Sequence, residues 1–301
     1  MAVKRRDVDF ESGGTRCAAW LYEPDDVADP PVIVMAHGLG GHRTARLPAF
    51  AERFADLGFA VLLFDYRRWG DSDGEPRRVI SPSMQVTDWQ AAVGNARSLD
   101  AVDGERVGLW GTSFSGGHVL TVAARDGDVD AVVAQVPFTD GLRNALHLVR
   151  QGGLDYARAA SSAFLRDAGR WLTRREPNYV PVVAEPESFG VLNTPGAKTG
   201  YESLVPADER ETWDNEVAAR FFLAVQSYRP VAEAGDVDCP VFVAQATEDR
   251  IIPAAATDAA VDALDDVERV RYPIGHFDAY TGADFERIVG REGEFFEHHL
   301  R

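Results

Sequence analysis

The sequence predicts an α/β fold built on a mostly parallel sheet, and three observations carry that expectation. Short apolar runs alternate with helical patterns, first up to residue 137 and again from residue 237. The runs are continuous stretches of Val, Ile, Leu and Phe, as strands covered on both faces require. A chain of 301 residues, 45% hydrophobic, is long enough to bury one large core and still carry an insertion.

The elements follow in order. "TRCAAWLYE" and "PPVIVMAHG" read as strands, and "LPAFAERFADLG" as a helix closing on Gly58. "FAVLLFDYR" is a strand, "MQVTDWQAAVGNARSL" a helix, and "ERVGLWGTS" a strand that runs into the helix "SGGHVLTVAAR". "VDAVVAQVP" is the next strand. The rhythm returns with "CPVFVAQATED", the helix "AAATDAAVDAL", the strand "ERVRYPIG" and an amphipathic helix over residues 284–299. Residues 138–236 break it. Two helical runs, "GLRNALHLVRQGGLDYARAASSAFLRDAGRWL" and "ERETWDNEVAARFFLAVQSY", flank a Pro-rich connector with no clear strand signal. The expected organisation is therefore a core of residues 1–137 and 237–301, with 138–236 a mainly helical cap over the sheet.

Charge excludes some partners. Lys and Arg total 31 against 48 Asp and Glu, a net −17, so the phosphate attraction that dominates nucleic-acid binding is absent. Of the basic residues only Lys4 and Lys198 are lysine. This acidic, lysine-poor balance resembles that of salt-adapted proteins, an expectation that a melting temperature rising from dilute to molar KCl would meet. No apolar run reaches the roughly 18 residues of a membrane span, and no apolar segment follows the basic start, so a cytoplasmic location is expected. Cys17 and Cys239 are too few for a disulfide framework and read as small buried hydrophobes. Nothing in the sequence fixes an oligomeric state.

The chemistry centres on "LWGTSFSGGH". Ser113 sits between Gly111 and Ser115, at the junction of an apolar strand with a helix opened by Gly116 and Gly117. That setting is what a nucleophile elbow demands, because the turn is too sharp for bulky side chains two residues before or after the serine. A serine hydroxyl needs a base, and the base an orienting acid. "AQATEDRIIP" places Asp249 after a strand, and "YPIGHFDAY" places His276 after the following one. Both fall at carboxyl ends of strands, where open α/β sheets gather their sites. Asp140, in "VPFTDG", is an alternative acid; Glu248 and Asp278 read as charges beside the site.

The remaining histidines read differently. His298 and His299 belong to a solvated helix face, His42 and His147 to a loop and the insertion, and His118 lies too far along its helix to reach back to Ser113. The oxyanion formed on attack needs positioned N–H donors. Phe114 supplies one candidate and Leu39, in "HGLGG", the other; His37 in that loop reads as structural. Asp65 and Arg67, in "FDYRRWGDSDG", read as residues that tie loops down.

Together "HGLGG", "DYRRWGDSDG", "GTSFSGG", "ATEDRIIP" and "GHF" resemble the α/β-hydrolase superfamily, in its order and at its spacings over residues 32–277. Within it the chain is similar to cap-bearing serine hydrolases: bacterial esterases, X-Pro dipeptidyl peptidase catalytic domains and fungal polyketide thiohydrolases or transferases. Glycine is usual where Ser115 stands. The resemblance implies an eight-stranded sheet flanked by helices, a lid after the sixth strand, and no cofactor or metal. It excludes members that attack with aspartate or cysteine, since position 113 is serine. A serine hydrolase of carboxylic esters is expected, with thioester hydrolysis or acyl transfer as the alternative, then peptidase activity, then a non-catalytic binding protein. The insertion's aromatics, Tyr156, Phe164, Trp171, Tyr179, Phe189, Trp213, Phe221, Phe222 and Tyr228, are expected to form mostly its core, a few of them lining an apolar acyl pocket.

Overall fold

The computed structural model describes residues 3–25 and 27–301. Eight strands form one sheet: β1 (Val3–Asp7), β2 (Ala19–Pro24), β3 (Pro31–Ala36), β4 (Ala60–Phe64), β5 (Asp103–Thr112), β6 (Ala131–Gln135), β7 (Val241–Ala246) and β8 (Val267–Tyr272). They lie in the order β1-β2-β4-β3-β5-β6-β7-β8. Strand β2 pairs antiparallel with both β1 and β4, and the other pairings are parallel. The eight-stranded, mostly parallel sheet is the one expected. A short hairpin, Phe10–Ser12 with Thr15–Cys17, stands outside it.

Alternation along the buried strands divides the core into two layers. Val32, Val34, Leu109 and Val243 point to one face, with Trp89 of α2 (Pro82–Arg97) and Leu120 of α3 (Phe114–Ala123). Ile33, Met35, Trp110 and Phe242 point to the other. There they meet Phe50 and Phe54 of α1 (Leu47–Asp56) and Phe285 and Phe296 of the terminal helix Gly282–Leu300. Helix α1 shows why such helices form: Leu47, Phe50, Ala51, Phe54 and Ala55 recur at three- and four-residue spacing, so one stripe is apolar. Cys17 and Cys239 are buried, unpaired thiols.

Register sets the position of the site. Ala36 pairs with Gly111, Thr112 with Gln135, Gln135 with Ala244, and Ala246 with Tyr272. The carboxyl ends of β3, β5, β6, β7 and β8 therefore finish side by side, and the loops after them converge.

Between β6 and β7 the chain leaves the sheet. Asp140 caps α4 (Gly141–Leu172) by accepting from the Arg143 N–H at 3.0 Å. Gly153, at φ +68°, kinks that helix, an interruption its amphipathic pattern does not announce. Then come α5 (Ala197–Leu204), the single turn α6 (Phe221–Ala224) and several 3₁₀ turns. Helix α7 (Ala254–Val261) follows β7, and α8 is the terminal helix, Gly282–Leu300.

The helix expected over "ERETWDNEVAARFFLAVQSY" is not formed. Its residues make turns, a two-residue strand Val217–Ala218 paired with Tyr179–Val180, and α6. Competing hydrogen bonds explain the difference. The Ala218 N–H donates to the Arg78 carbonyl and Ala219 to Asn178, both at 2.9 Å, while the Asn215 amide brackets the Val183 backbone. These tertiary bonds hold extended a segment whose spacing suits a helix.

Candidate active site

Ser113 occupies the turn from β5 into α3 with φ +56° and ψ −119°, a conformation that costs a non-glycine residue about 1–3 kcal/mol. The surroundings hold it there. Its N–H donates to the Gln135 carbonyl at 2.9 Å, and its carbonyl accepts from Phe138 at 2.8 Å and Gly116 at 3.0 Å. The steric demand is visible at Gly111, where a Cβ would lie 2.4 Å from the Ser115 carbonyl oxygen. Ser115 fits because its hydroxyl is used: Tyr66 donates to its Oγ at 3.0 Å, and Trp89 Nε1 donates to the Tyr66 oxygen at 2.9 Å.

Beyond the ends of β7 and β8, the structure brings Asp249 and His276 to this serine. The Ser113 hydroxyl lies 3.0 Å from His276 Nε2, and His276 Nδ1 lies 2.6 Å from Asp249 Oδ2. The other carboxylate oxygen, Oδ1, accepts from the Ile251 and Ile252 N–H groups at 2.7 and 2.9 Å. Those two bonds fix the carboxylate, whose partner then keeps the Nδ1 proton and leaves the Nε2 lone pair facing the serine. Both side chains are nearly buried, 5% exposed each, so solvent screens the pair little. Such a chain of groups can take the proton from an attacking serine and return it to a leaving group.

Phe114 is the first residue of α3, so its N–H has no partner within the helix and sits at the positive end of the dipole. The "HGLGG" loop lies directly against it. A Cβ on Gly38 would come 3.1 Å from both Ser113 Cβ and the Thr112 carbonyl oxygen, a tight fit that glycine relieves, and Leu39 is the next residue of the loop. Leu39, Ser113 and Phe114 all line one cavity.

That cavity measures about 350 Å³ and runs from Ser113 beneath α4. Leu148, Tyr156, Phe164, Phe221 and Ile251 are among its walls, and among the described residues no charged side chain lines it. A second, polar cleft of about 270 Å³ is lined by His276 together with Thr194, Glu248, Arg250 and Asp278. Of the aromatics named from sequence, Tyr156, Phe164, Phe221 and Phe222 face the cavity; Trp171 is 65% exposed and belongs to no core.

The other candidates are placed elsewhere. Asp140 caps α4 and accepts from Arg229 Nη2 at 3.1 Å. Asp278 accepts from the Gly275 N–H at 2.8 Å and so shapes the turn that presents His276. His118 meets the Tyr228 hydroxyl at 2.6 Å and Gln85 at 3.2 Å, and burial pushes its pKa down to about 3. His37 donates from Nδ1 to the Gly38 carbonyl at 2.9 Å, its pKa pushed by burial down to about 4, so it is a neutral hydrogen-bonding residue. Asp65 accepts from the Arg43 and Asp71 N–H groups, and Arg67 pairs with buried Asp88. Both tie loops down.

Sequence reasoning missed Tyr201. Its hydroxyl, carried on α5, donates to the Leu39 carbonyl at 2.8 Å, and its ring stacks on Trp213. "AKTGYESL" holds no motif that could have announced this, because the contact spans 162 residues. Among the described residues, no cluster of three or more His, Cys, Asp or Glu could hold a metal, and no helix is long and apolar enough to cross a membrane.

The sheet order and the strand–turn–helix at Ser113 define an α/β-hydrolase. The crystal structure of the α/β-hydrolase GrgF from a Penicillium species superposes with a TM-score of 0.80 at 25% identity, over 99% of each chain. More narrowly, the chain belongs to the X-Pro dipeptidyl-peptidase (S15) family of hydrolytic enzymes, whose pattern matches residues 13–276. It is 40% identical to the quorum-quenching protein AidA of Acinetobacter baumannii, over 97% of this chain and 94% of that one. It is 29% identical to the polyketide transferase grgF of Penicillium, over 99% and 98%.

Proposed function

We propose that this protein is a serine hydrolase that cleaves small carboxylic esters with an apolar acyl part. Ser113 attacks the ester carbonyl as His276 takes its proton, and Asp249 holds the imidazole and stabilises its charged form. The Phe114 and Leu39 amides receive the oxyanion. His276 then protonates the leaving alcohol, and water activated by the same imidazole releases the acyl group from Ser113. Residues 138–236 act as the cap that closes the acyl site.

The observation that carries this reading is the uncharged cavity opening onto Ser113. Its volume suits the acyl part of a small molecule, and a charged group entering it would lose water with no counter-ion to meet. The polar cleft on the His276 side suits a leaving alcohol. An X-Pro dipeptidyl substrate brings a cationic amine, for which the cavity offers no carboxylate. A second reading, thioester hydrolysis or acyl transfer, is supported by the polyketide transferase relative and uses the same residues.

Comparing a p-nitrophenyl ester, an acyl-CoA and an X-Pro anilide at equal concentration separates these readings. The ester is expected to give the largest kcat/KM. Preference for the acyl-CoA would favour the second reading, and preference for the anilide would overturn the first.

A further inference from the structure

Among the described residues, the large hydrophobic side chains that stand exposed all belong to the insertion, between Leu142 and Leu223. Four of them, Leu154, Leu165, Trp171 and Leu172, lie on α4 beyond the kink at Gly153 and are 65–78% exposed. Leu165 and Leu172 stand about three and five whole turns from Leu154, so the leucines form one stripe roughly 27 Å long. Tyr156, Ala163 and Asp167 are the buried residues of the same stretch. Single apolar residues are ordinary on a protein surface, but a continuous stripe marks a contact face.

The charge of this helix is opposite to that of the molecule. Residues 141–175 hold seven Arg and two Asp, in a chain of net charge −17. Asp167 is buried against Arg220, and Asp155 pairs with Arg158 in solvent at 3.3 Å. Arg150, Arg166, Arg174 and Arg175 are exposed and form no ion pair with a described residue. The stripe also adjoins the cavity at Ser113. Ala157, Ser161 and Leu165 line both that cavity and an open groove beside Leu154.

We propose that this face of α4 docks on an anionic lipid bilayer, the leucines and Trp171 entering the headgroup boundary and the arginines meeting lipid phosphates. Repulsion from the acidic remainder is screened beyond roughly 10 Å at 0.1 M ionic strength, so the local sign decides. Charge favours lipid over a second copy, since two such faces brought together would confront arginine with arginine. Docking places the groove at the membrane and gives apolar esters dissolved there a short route to Ser113. That consequence rests on the hydrolase reading; the docking itself does not.

The test is co-sedimentation of the full chain with vesicles of phosphatidylcholine alone and of phosphatidylcholine mixed equally with phosphatidylglycerol. At about 0.1 M KCl, binding to the mixed vesicles is expected to be about tenfold tighter or more. Arg166→Gln with Arg175→Gln should remove most of that preference. Leu154→Asp with Leu172→Asp should abolish binding while leaving hydrolysis of dissolved p-nitrophenyl acetate unchanged, and the arginine pair carries the test if that variant does not fold. In molar KCl, with the fold checked by circular dichroism, the preference should shrink and the leucine-dependent binding persist. Equal binding to the two vesicles, or binding indifferent to both pairs of substitutions, would overturn the proposal. Binding to neither would overturn it too, and a dimer that Leu154→Asp dissociates would then assign the face to a second copy. Vesicle binding without turnover of any ester would overturn the hydrolase reading alone.

Discussion

Ser113 holds a backbone conformation that few serines adopt, and three hydrogen bonds to its own peptide groups keep it there. His276 Nε2 lies 3.0 Å from its hydroxyl and Asp249 Oδ2 2.6 Å from the far side of the imidazole, so the three groups form one hydrogen-bonded chain in which the carboxylate is proposed to orient the imidazole. Asp249→Asn tests the orienting carboxylate, since an amide can donate to Nδ1 and so favour the wrong tautomer. Esterase kcat is expected to fall by about 10⁴ with KM little changed, by analogy with the Ser-His-Asp template. A loss below tenfold would remove Asp249 from the role proposed for it. These three residues could be singled out from sequence because each follows a strand at a fixed edge of the sheet. Asp140 competed with Asp249 on the same ground, and the structure separates them: His276 Nδ1 meets Asp249, while Asp140 caps α4 and pairs with Arg229.

At the scale of elements, the insertion and the core are joined where the chemistry is proposed to occur. Tyr201 of α5 fixes the carbonyl of Leu39, one peptide unit beyond the Leu39 N–H proposed as an oxyanion donor, and so restricts how the loop carrying that donor can turn. Tyr201→Phe keeps the ring stacked on Trp213 and deletes that bond. It is expected to lower kcat about tenfold with little change in KM, less than the loss of an oxyanion donor itself. Unchanged kcat would mean that the loop holds its own shape.

A second link joins α8 to β5, where Trp110 Nε1 donates at 2.9 Å to the buried carboxyl of Glu292. Burial pushes Glu292 up from the ordinary 4.5 to about 8. Between those values the unfolded chain releases a proton that the fold keeps, so stability falls as pH rises through the window. Glu292→Gln retains an acceptor for Trp110 and does not titrate. Its gain in Tm over wild type should therefore grow from about pH 5 to pH 8 and then level off. A Tm difference independent of pH would contradict the buried, protonated carboxyl. Neither link was legible in the sequence, since each pairs residues more than 150 positions apart.

For the molecule as a whole, the core was legible and the insertion was only partly so. Strands covered on both faces must be continuously apolar, which is why most of the sheet could be read from its runs, whereas β1, charged and largely exposed, has no such run and the count of eight came from the family resemblance. The insertion obeys no such rule. Its first helical run does form α4, though kinked at Gly153, whereas residues 209–228 take their shape from bonds to Arg78, Asn178 and Val183. Period alone cannot foresee partners that distant. The same limit applies to the cavity, whose walls come from α3, α4, α6 and the loop after β7.

The central claim is that Ser113 is a nucleophile activated by His276. Treating the purified protein with a fluorophosphonate probe and locating the adduct by mass spectrometry tests it most directly. Stoichiometric modification of the peptide bearing Ser113, absent in Ser113→Ala and strongly slowed in His276→Ala, is the result predicted. A folded wild-type protein that takes up no probe, or takes it up equally after Ser113→Ala, would contradict the account.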